Sequence, residues 1–204
     1  EGEWAVFMCD DFKKIKSYPV EEILSNRQTL DIDFTNQNDY RLRDEMTLAE
    51  MFSLFPKLLE FAEANHVYLV GFGLHDNPMN LRKKFTARGL ADGRFWLVKK
   101  ASYRFDENAQ LIDDVAWTAE NLARHGKVFV LNWCVPYFER YTAGGFGNIA
   151  ERLQLRRKEC AYLVDKYSPL VQIAKKPNWP DGTHLRLMGS TGNIMKARQR
   201  LGYL

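Results

Sequence analysis

Three apolar runs, Val67–Gly73, Phe95–Val98 and Val128–Leu131, each stop within seven residues and do not alternate with polar side chains. Runs of that length suit strands covered on both faces, and such strands are typical of parallel sheets. Trp4–Met8 has the same character. Helical patterns lie between these runs. Thr47-Leu48-Ala49-Glu50 forms a capping box, in which the Thr hydroxyl and the Glu carboxylate meet amides that a helix leaves free. The helix it opens carries Met51, Phe55, Leu58, Leu59 and Phe61 and ends near Asn65, and Pro56 is expected to kink or split it. A second helix is expected from Val115 to His125, with Gly126 just past its end, and a long amphipathic one over about Ile149–Tyr167.

Alternating strands and helices predict an α/β fold with a mostly parallel central sheet flanked by helices, as a single domain over residues 1–204. Residues 13–45 are polar and irregular and suggest a loop-rich excursion, as do residues 74–93. Tyr103–Phe105, Val171–Ile173 and His184–Leu187 are expected as further strands, and the basic tail from Gly192 as a short helix. A composition of 46% hydrophobic and 27% charged residues is that of an ordinary globular domain, which argues against disorder.

Cys9, Cys134 and Cys160 are far apart and lack CxxC spacing, which excludes a cysteine-based zinc site and fits reduced thiols in a cytoplasmic protein. No apolar run reaches the roughly 18–20 residues of a membrane span. The first residues, Glu1-Gly2-Glu3-Trp4, lack signal-peptide character and an initiator methionine, so a processed form or an excised domain is expected. The net charge of +3 permits nucleic-acid binding without establishing it.

Candidate chemistry gathers at three places. Asp10 and Asp11 follow the first apolar run directly, at the strand end where α/β folds place ligands. Carboxylates there can hold a divalent cation, or serve as solvated turn residues. Asp113 and Asp114 open a helix, where one can cap and the other can project as a base or acceptor anchor. His184 heads a late strand and can supply a nitrogen ligand. His125 sits at a helix end, where a positive charge suits the dipole. His75, in a loop, is a weaker substrate contact.

The order of these features resembles that of GT-A glycosyltransferases, as does the frame Asp-Asp-x-x-x-x-x-x-x-Leu-x-x-x-Gly. Within that class Tyr103-Arg104-Phe105-Asp106-Glu107-Asn108, Ile112-Asp113-Asp114 and Tyr141-Thr142-Ala143-Gly144-Gly145 are similar to bacteriophage TET-associated glycosyltransferases. The resemblance covers about Val6 to Leu187. It implies a nucleotide-diphospho-sugar transferase fold and a metal-dependent transfer from a nucleotide sugar, a UDP-sugar in the first instance, to a hydroxyl acceptor. The acceptor it implies is a hydroxymethylated pyrimidine in DNA, and the setting a host cytoplasm.

Carried over, Asp11 would bind Mn²⁺ or Mg²⁺, Asp10 would position the nucleotide, and His184 would complete the metal shell. Asp114 would face the acceptor hydroxyl, with Asp113 beside it, as a base if configuration inverts and as an orienting group if it is retained. Two departures stand out. Cys9 occupies the first position of the DxD triplet, and only about five residues precede the first strand where the family has about 100, so the nucleotide-binding part is short, missing or permuted.

A DNA acceptor would need phosphate contacts. Candidates are Arg82, Lys83, Lys84 and Arg88, the helix set Arg152, Arg156, Arg157 and Lys158, and the tail Lys196, Arg198 and Arg200. Each is equally at home on a solvated face. Trp133, Tyr137, Phe138 and Tyr141 can stack on an extruded base or simply pack. The Gly144-Gly145-Phe146-Gly147 segment is taken as an acceptor-side loop. Two rival classes remain: a metal-dependent nucleotidyltransferase, and a non-catalytic DNA- or protein-binding module.

Overall fold

The computed structural model describes residues 3–9, 12–17, 44–73, 85–100, 104–132, 134–138, 149–175 and 183–204. These residues fall into two compact units. In the first, a five-stranded sheet has the order β1-β6-β4-β7-β5, built from β1 (Trp4–Met8), β4 (Leu69–Phe72), β5 (Phe85–Thr86), β6 (Phe95–Lys99) and β7 (Phe129–Leu131). A three-stranded sheet in the same unit orders β3 (Asp44–Met46), β2 (Phe12–Ser17) and β8 (Cys134–Phe138).

Helix α1 (Leu48–Ala64) opens on the expected capping box. The Glu50 amide donates to Thr47 Oγ1 at 3.2 Å, and Glu50 Oε2 accepts from the Thr47 amide at 2.7 Å. Pro56 lies inside the helix, which continues past it. Its buried stripe of Met51, Leu54, Leu58 and Ala62 holds both halves against one core with Val70, Phe72, Phe95 and Leu131. Phe72 and Phe95 pack edge to face at 4.9 Å, a geometry that matches ring edge to ring face.

The expected mostly parallel sheet is not found. Of the seven strand pairings among the described residues only β4 with β7 is parallel; the other six are antiparallel. The physical reason is that burial of a strand on both faces does not set its direction. A parallel pair needs a long crossover, usually through a helix, and helix α2 (Asp113–His125) lies on the path from β4 to β7. Elsewhere an intervening helix does not bring parallel pairing: β1 and β6 are antiparallel although α1 lies between them in the chain, and β5 pairs β7 antiparallel across β6 and α2. The apolar runs at Leu69–Phe72 and Phe95–Val98 are indeed buried, but antiparallel neighbours serve that burial equally well.

Trp4–Met8 departs further from expectation. It is an antiparallel edge strand on β6, and Val6, Phe7 and Met8 are 48%, 39% and 44% exposed. The loop-rich excursion expected over 13–45 contains β2 and β3 at its ends, and residues 18–43 lie outside the described set. Arg104 and Phe105, expected in a strand, are irregular. Cys134–Phe138 forms a strand that the aromatic cluster there did not announce.

The second unit contains α2, α3 (Ile149–Tyr167), α4 (Thr191–Arg200) and the antiparallel hairpin of β9 (Val171–Lys175) with β10 (Thr183–Leu187). Helix α2 packs with α3, α4 and β10. It ends as expected at Gly126, whose φ of 80° is the left-handed conformation that glycine adopts without a Cβ clash. Among the described residues no helix is long and apolar enough to cross a membrane.

The close approach of β4 to the Ala91 segment is testable. A Cβ at Gly71 would stand 2.6 Å from Ala91 Cβ and 2.7 Å from Ala91 Cα, so backbone would have to move. Gly71→Ala is expected to lower stability by about 1–3 kcal/mol, as overpacking does. Urea unfolding checks this, and a wild-type midpoint would mean that the approach is looser.

Candidate functional site

Of the residues singled out from sequence, Asp113 and Asp114 are placed most informatively. They form the first turn of α2 and are half-buried. Neither is the N-cap: that position is Ile112, whose side chain cannot accept a hydrogen bond. Asp113 Oδ1 instead accepts the Asp114 amide at 2.9 Å, and Asp114 Oδ1 accepts the Val115 amide at 2.7 Å. Two carboxylates on a first turn also oppose the positive end of the helix dipole.

The chain leading into this turn is held by α3. Glu159 is only 3% exposed. Its Oε1 accepts the Gln110 amide at 3.0 Å and its Oε2 the Leu111 amide at 2.9 Å. Burial raises the Glu159 pKa, and the backbone amides of Leu111, Gln110 and Ile112 offset this only in part.

Four residues upstream of Gln110, Asp106 makes an Asx-type turn. Its Oδ1 accepts the Asn108 amide at 3.0 Å, while Oδ2 accepts Tyr162 Oη and Lys166 Nζ, each at 2.7 Å. Burial alone would raise the Asp106 pKa, but the bonds from Lys166, Tyr162 and the Asn108 amide outweigh it and hold the group below the usual range.

Beyond the first turn, every α2 residue from Val115 to Ala123 is buried, including Glu120. Glu120 Oε2 accepts Tyr167 Oη at 2.6 Å; Oε1 accepts Tyr203 Oη at 2.6 Å and also Arg124 Nε. Burial favours protonation of Glu120, yet these three donors prevail and its pKa is lowered. The Tyr203 hydroxyl is pushed up to about 12, by burial and by the carboxylate it donates to. A cavity of about 410 Å³ opens beside these groups, lined among others by Arg104, Phe105, Trp117, Lys166, Tyr167 and Tyr203. Phe105 meets Trp117 edge to face at 4.7 Å.

The remaining sequence candidates scatter. Asp10 and Asp11 lie outside the described residues, as do His75, Arg82–Lys84, Trp133 and Tyr141–Asn148. His184 is half-buried on β10, opposite Ala174 of β9. Among the described residues no group of three or more His, Cys, Asp and Glu is placed to hold a metal ion. His184 offers one nitrogen, and a divalent cation held by protein needs further ligands beside it.

Arg88 hydrogen-bonds Thr191 Oγ1 at 2.9 Å, and Arg200 pairs with Asp165 at 3.0 Å, so both already have protein partners. Arg152, Arg157 and Lys158 are exposed on α3. Tyr137 is half-buried on β8, with Lys16 Nζ 5.0 Å from its ring centre. His125 is not the dipole cation expected at a helix end. Burial, and then the charges of Arg124 and Arg198, push its pKa down to about 4, so it is neutral at pH 7.

Motif reading includes Asp106 only as part of the Tyr103–Asn108 stretch and does not pick out Glu120 or Glu159. The available signal for Glu120 is a Glu inside the largely apolar helical stretch Val115–Ala123, whereas Glu159 follows Arg156-Arg157-Lys158 and carries no such signal. No family model matches this chain, and no curated protein or solved structure matches it.

The Glu120 network and the neutral His125 are both testable. Glu120→Gln removes the charge but keeps the shape, and leaves two hydroxyls and a guanidinium without their anion. A loss of about 2–3 kcal/mol in urea unfolding is expected, and a loss below about 0.5 kcal/mol would contradict the network. For His125 the folded pKa lies below the unfolded value of 6.5, so the folded state binds fewer protons. Its contribution is therefore present above pH 6.5 and lost as the pH falls toward 4. Denaturation midpoints across that window should fall more steeply for wild type than for His125→Asn.

Proposed function

We propose that this chain is the acceptor-handling part of a metal-dependent glycosyltransferase. It would move a sugar from a nucleotide sugar to a hydroxyl acceptor, and the sequence resemblance favours a hydroxymethylated pyrimidine of DNA as that acceptor. The observation that carries the proposal is the acidic pair Asp113–Asp114, half-buried on the first turn of α2 and preceded by a braced loop. That loop contains most of the Tyr103–Asn108 motif on which the resemblance also rests.

A hydroxyl acceptor must be oriented toward an anomeric carbon and must lose its proton during transfer. A carboxylate at a fixed place can accept that proton, or can merely align the hydroxyl. Asp114 has this role in the proposal and Asp113 supports it. A divalent cation would supply positive charge for the departing diphosphate, with Asp11 as the acid assigned to it, and Asp10 would help to place the nucleotide. The α/β architecture with a mostly parallel sheet is no part of the proposal.

The test has two arms. In a thermal-shift panel the chain is mixed with UDP and UDP-sugars, with and without Mn²⁺, beside Asp11→Ala. A ligand at 100 times its dissociation constant stabilises by about 2.7 kcal/mol. A Mn²⁺-dependent shift absent from Asp11→Ala is expected. Transfer to hydroxymethylated DNA is then measured for Asp114→Asn. A fall of about 10²–10⁴ in rate with donor binding retained is expected if it acts as a base. No shift with any nucleotide would reject a donor site on this chain and favour a binding module. Nucleotide incorporation into a primer would favour a nucleotidyltransferase.

A further inference from the structure

Helix α3 presents Glu159, Tyr162 and Lys166 at spacings of three and four residues, which places all three on one helical face. All three grip the same short stretch of chain. Tyr162 and Lys166 hold Asp106 at its start, and Glu159 holds the amides of Gln110 and Leu111 near its end. The next residue, Ile112, is the N-cap of α2, and Asp113 and Asp114 follow.

Capping α2 needs no such arrangement. A Ser, Asp or Asn at position 112 would meet the free amides of the first turn at small cost. Glu159 does something else: it reaches from another helix, 47 residues away in sequence from Ile112, to the amides of Gln110 and Leu111, which precede the helix, and it is a carboxylate only 3% exposed. Burying a charge is expensive, and well-packed apolar groups of the same volume are often as stable or more so. Stability of the helix end alone therefore does not account for Glu159. Two oxygens taken by two successive amides do fix one thing strongly, the path and pitch of the backbone as it enters α2.

We propose that Glu159 is a positioning residue: through its two amide bonds it sets the direction in which the backbone delivers Asp113 and Asp114 to an acceptor hydroxyl. This rests on the transferase reading above. Glu159 touches neither substrate nor reacting atoms in the proposal and acts through the turn. A displacement of about 1 Å at a reacting group can cost on the order of 10²-fold in rate. Loosening this turn should therefore reduce turnover far more than donor binding.

The experiment compares wild type with Glu159→Gln and Glu159→Asp by three readouts. One is hydrogen exchange of the Gln110 and Leu111 amides, which needs no catalytic activity. The second is steady-state transfer from a UDP-sugar to hydroxymethylated DNA, and the third is the thermal midpoint. Glu159→Gln keeps the shape but offers one acceptor oxygen in place of two. At least one of the two amides should lose protection by about tenfold or more, kcat should fall about 10–100-fold, and the donor KM should stay within about threefold.

Glu159→Asp keeps the charge on a shorter arm and should recover part of the lost kcat. This recovery should not follow its thermal midpoint, as it would if the residue were merely structural. Unchanged amide protection in Glu159→Gln overturns the proposal, and so does lost protection with unchanged kcat in an active enzyme. Should Glu159→Gln fail to fold, lost protection and lowered kcat in Glu159→Asp support the proposal, and wild-type values of both overturn it. A wild-type chain that transfers nothing refutes the transferase reading and the catalytic part of this proposal, while the exchange data still decide whether Glu159 holds the turn.

Discussion

Helix α2 is buried along nine consecutive residues, so whatever polar group it carries there must find its partners inside the protein, and Glu120 is the group for which this matters most. A carboxylate 8% exposed cannot rely on water. Three donors approach it: the Tyr167 hydroxyl at the end of α3, the Tyr203 hydroxyl near the end of the chain, and the Arg124 side chain one turn further along α2. The Arg124 guanidinium also lies 4.4 Å from the Tyr203 ring centre, so the cation is shared between an anion and an aromatic face. One charge thereby fixes three things at once: the rotation of α2, the close of α3 and the path of the tail. Gly202, with φ of 71°, makes the turn that brings Tyr203 back.

The same logic repeats at the other end of α2. Glu159 is a second nearly buried carboxylate, and its partners are backbone amides instead of side chains. The two acids differ in the sign of their pKa shifts. Glu120 is lowered because charged and hydroxyl donors outweigh its burial. Glu159 is raised because amides offset burial only in part. Glu120 thus sits in a site that favours its charged form, whereas the burial of Glu159 disfavours its charged form.

Local signals were legible in the sequence and pairings at a distance were not. Thr47 with Glu50 gave the start of α1, Gly126 gave the end of α2, and the amphipathic stretch at about Ile149–Tyr167 gave α3, because each depends on neighbours within one or two turns. Strand direction is different. The run Phe95–Val98 is equally apolar whether its partners are parallel or antiparallel, so burial on both faces could not decide between them. Trp4–Met8 shows the converse, an apolar run that is exposed at an edge. At the candidate site the acidic pair and its place on a helix start were legible. The bracing was not, since Gln110 and Glu159 lie 49 residues apart and nothing in either segment names the other.

The placement of Asp113 and Asp114 bears on which chemistry suits them. Each already accepts a backbone amide, so in this structure each behaves as a hydrogen-bond acceptor. A carboxylate used in that sense can orient a hydroxyl and draw off its proton. A group that had to donate a proton would sit poorly among donors at the positive end of a helix. The far end of α2 is arranged in keeping with this. Arg124 carries the positive charge of its last turn while His125 stays neutral at pH 7. The helix therefore has acids that accept at its first turn and a permanent cation at its last, and no group along it changes charge between pH 6 and 8 through an ordinary histidine titration. A transferase that drew its base from this turn would show its pH dependence through the carboxylate and the departing nucleotide, not through the helix that carries it.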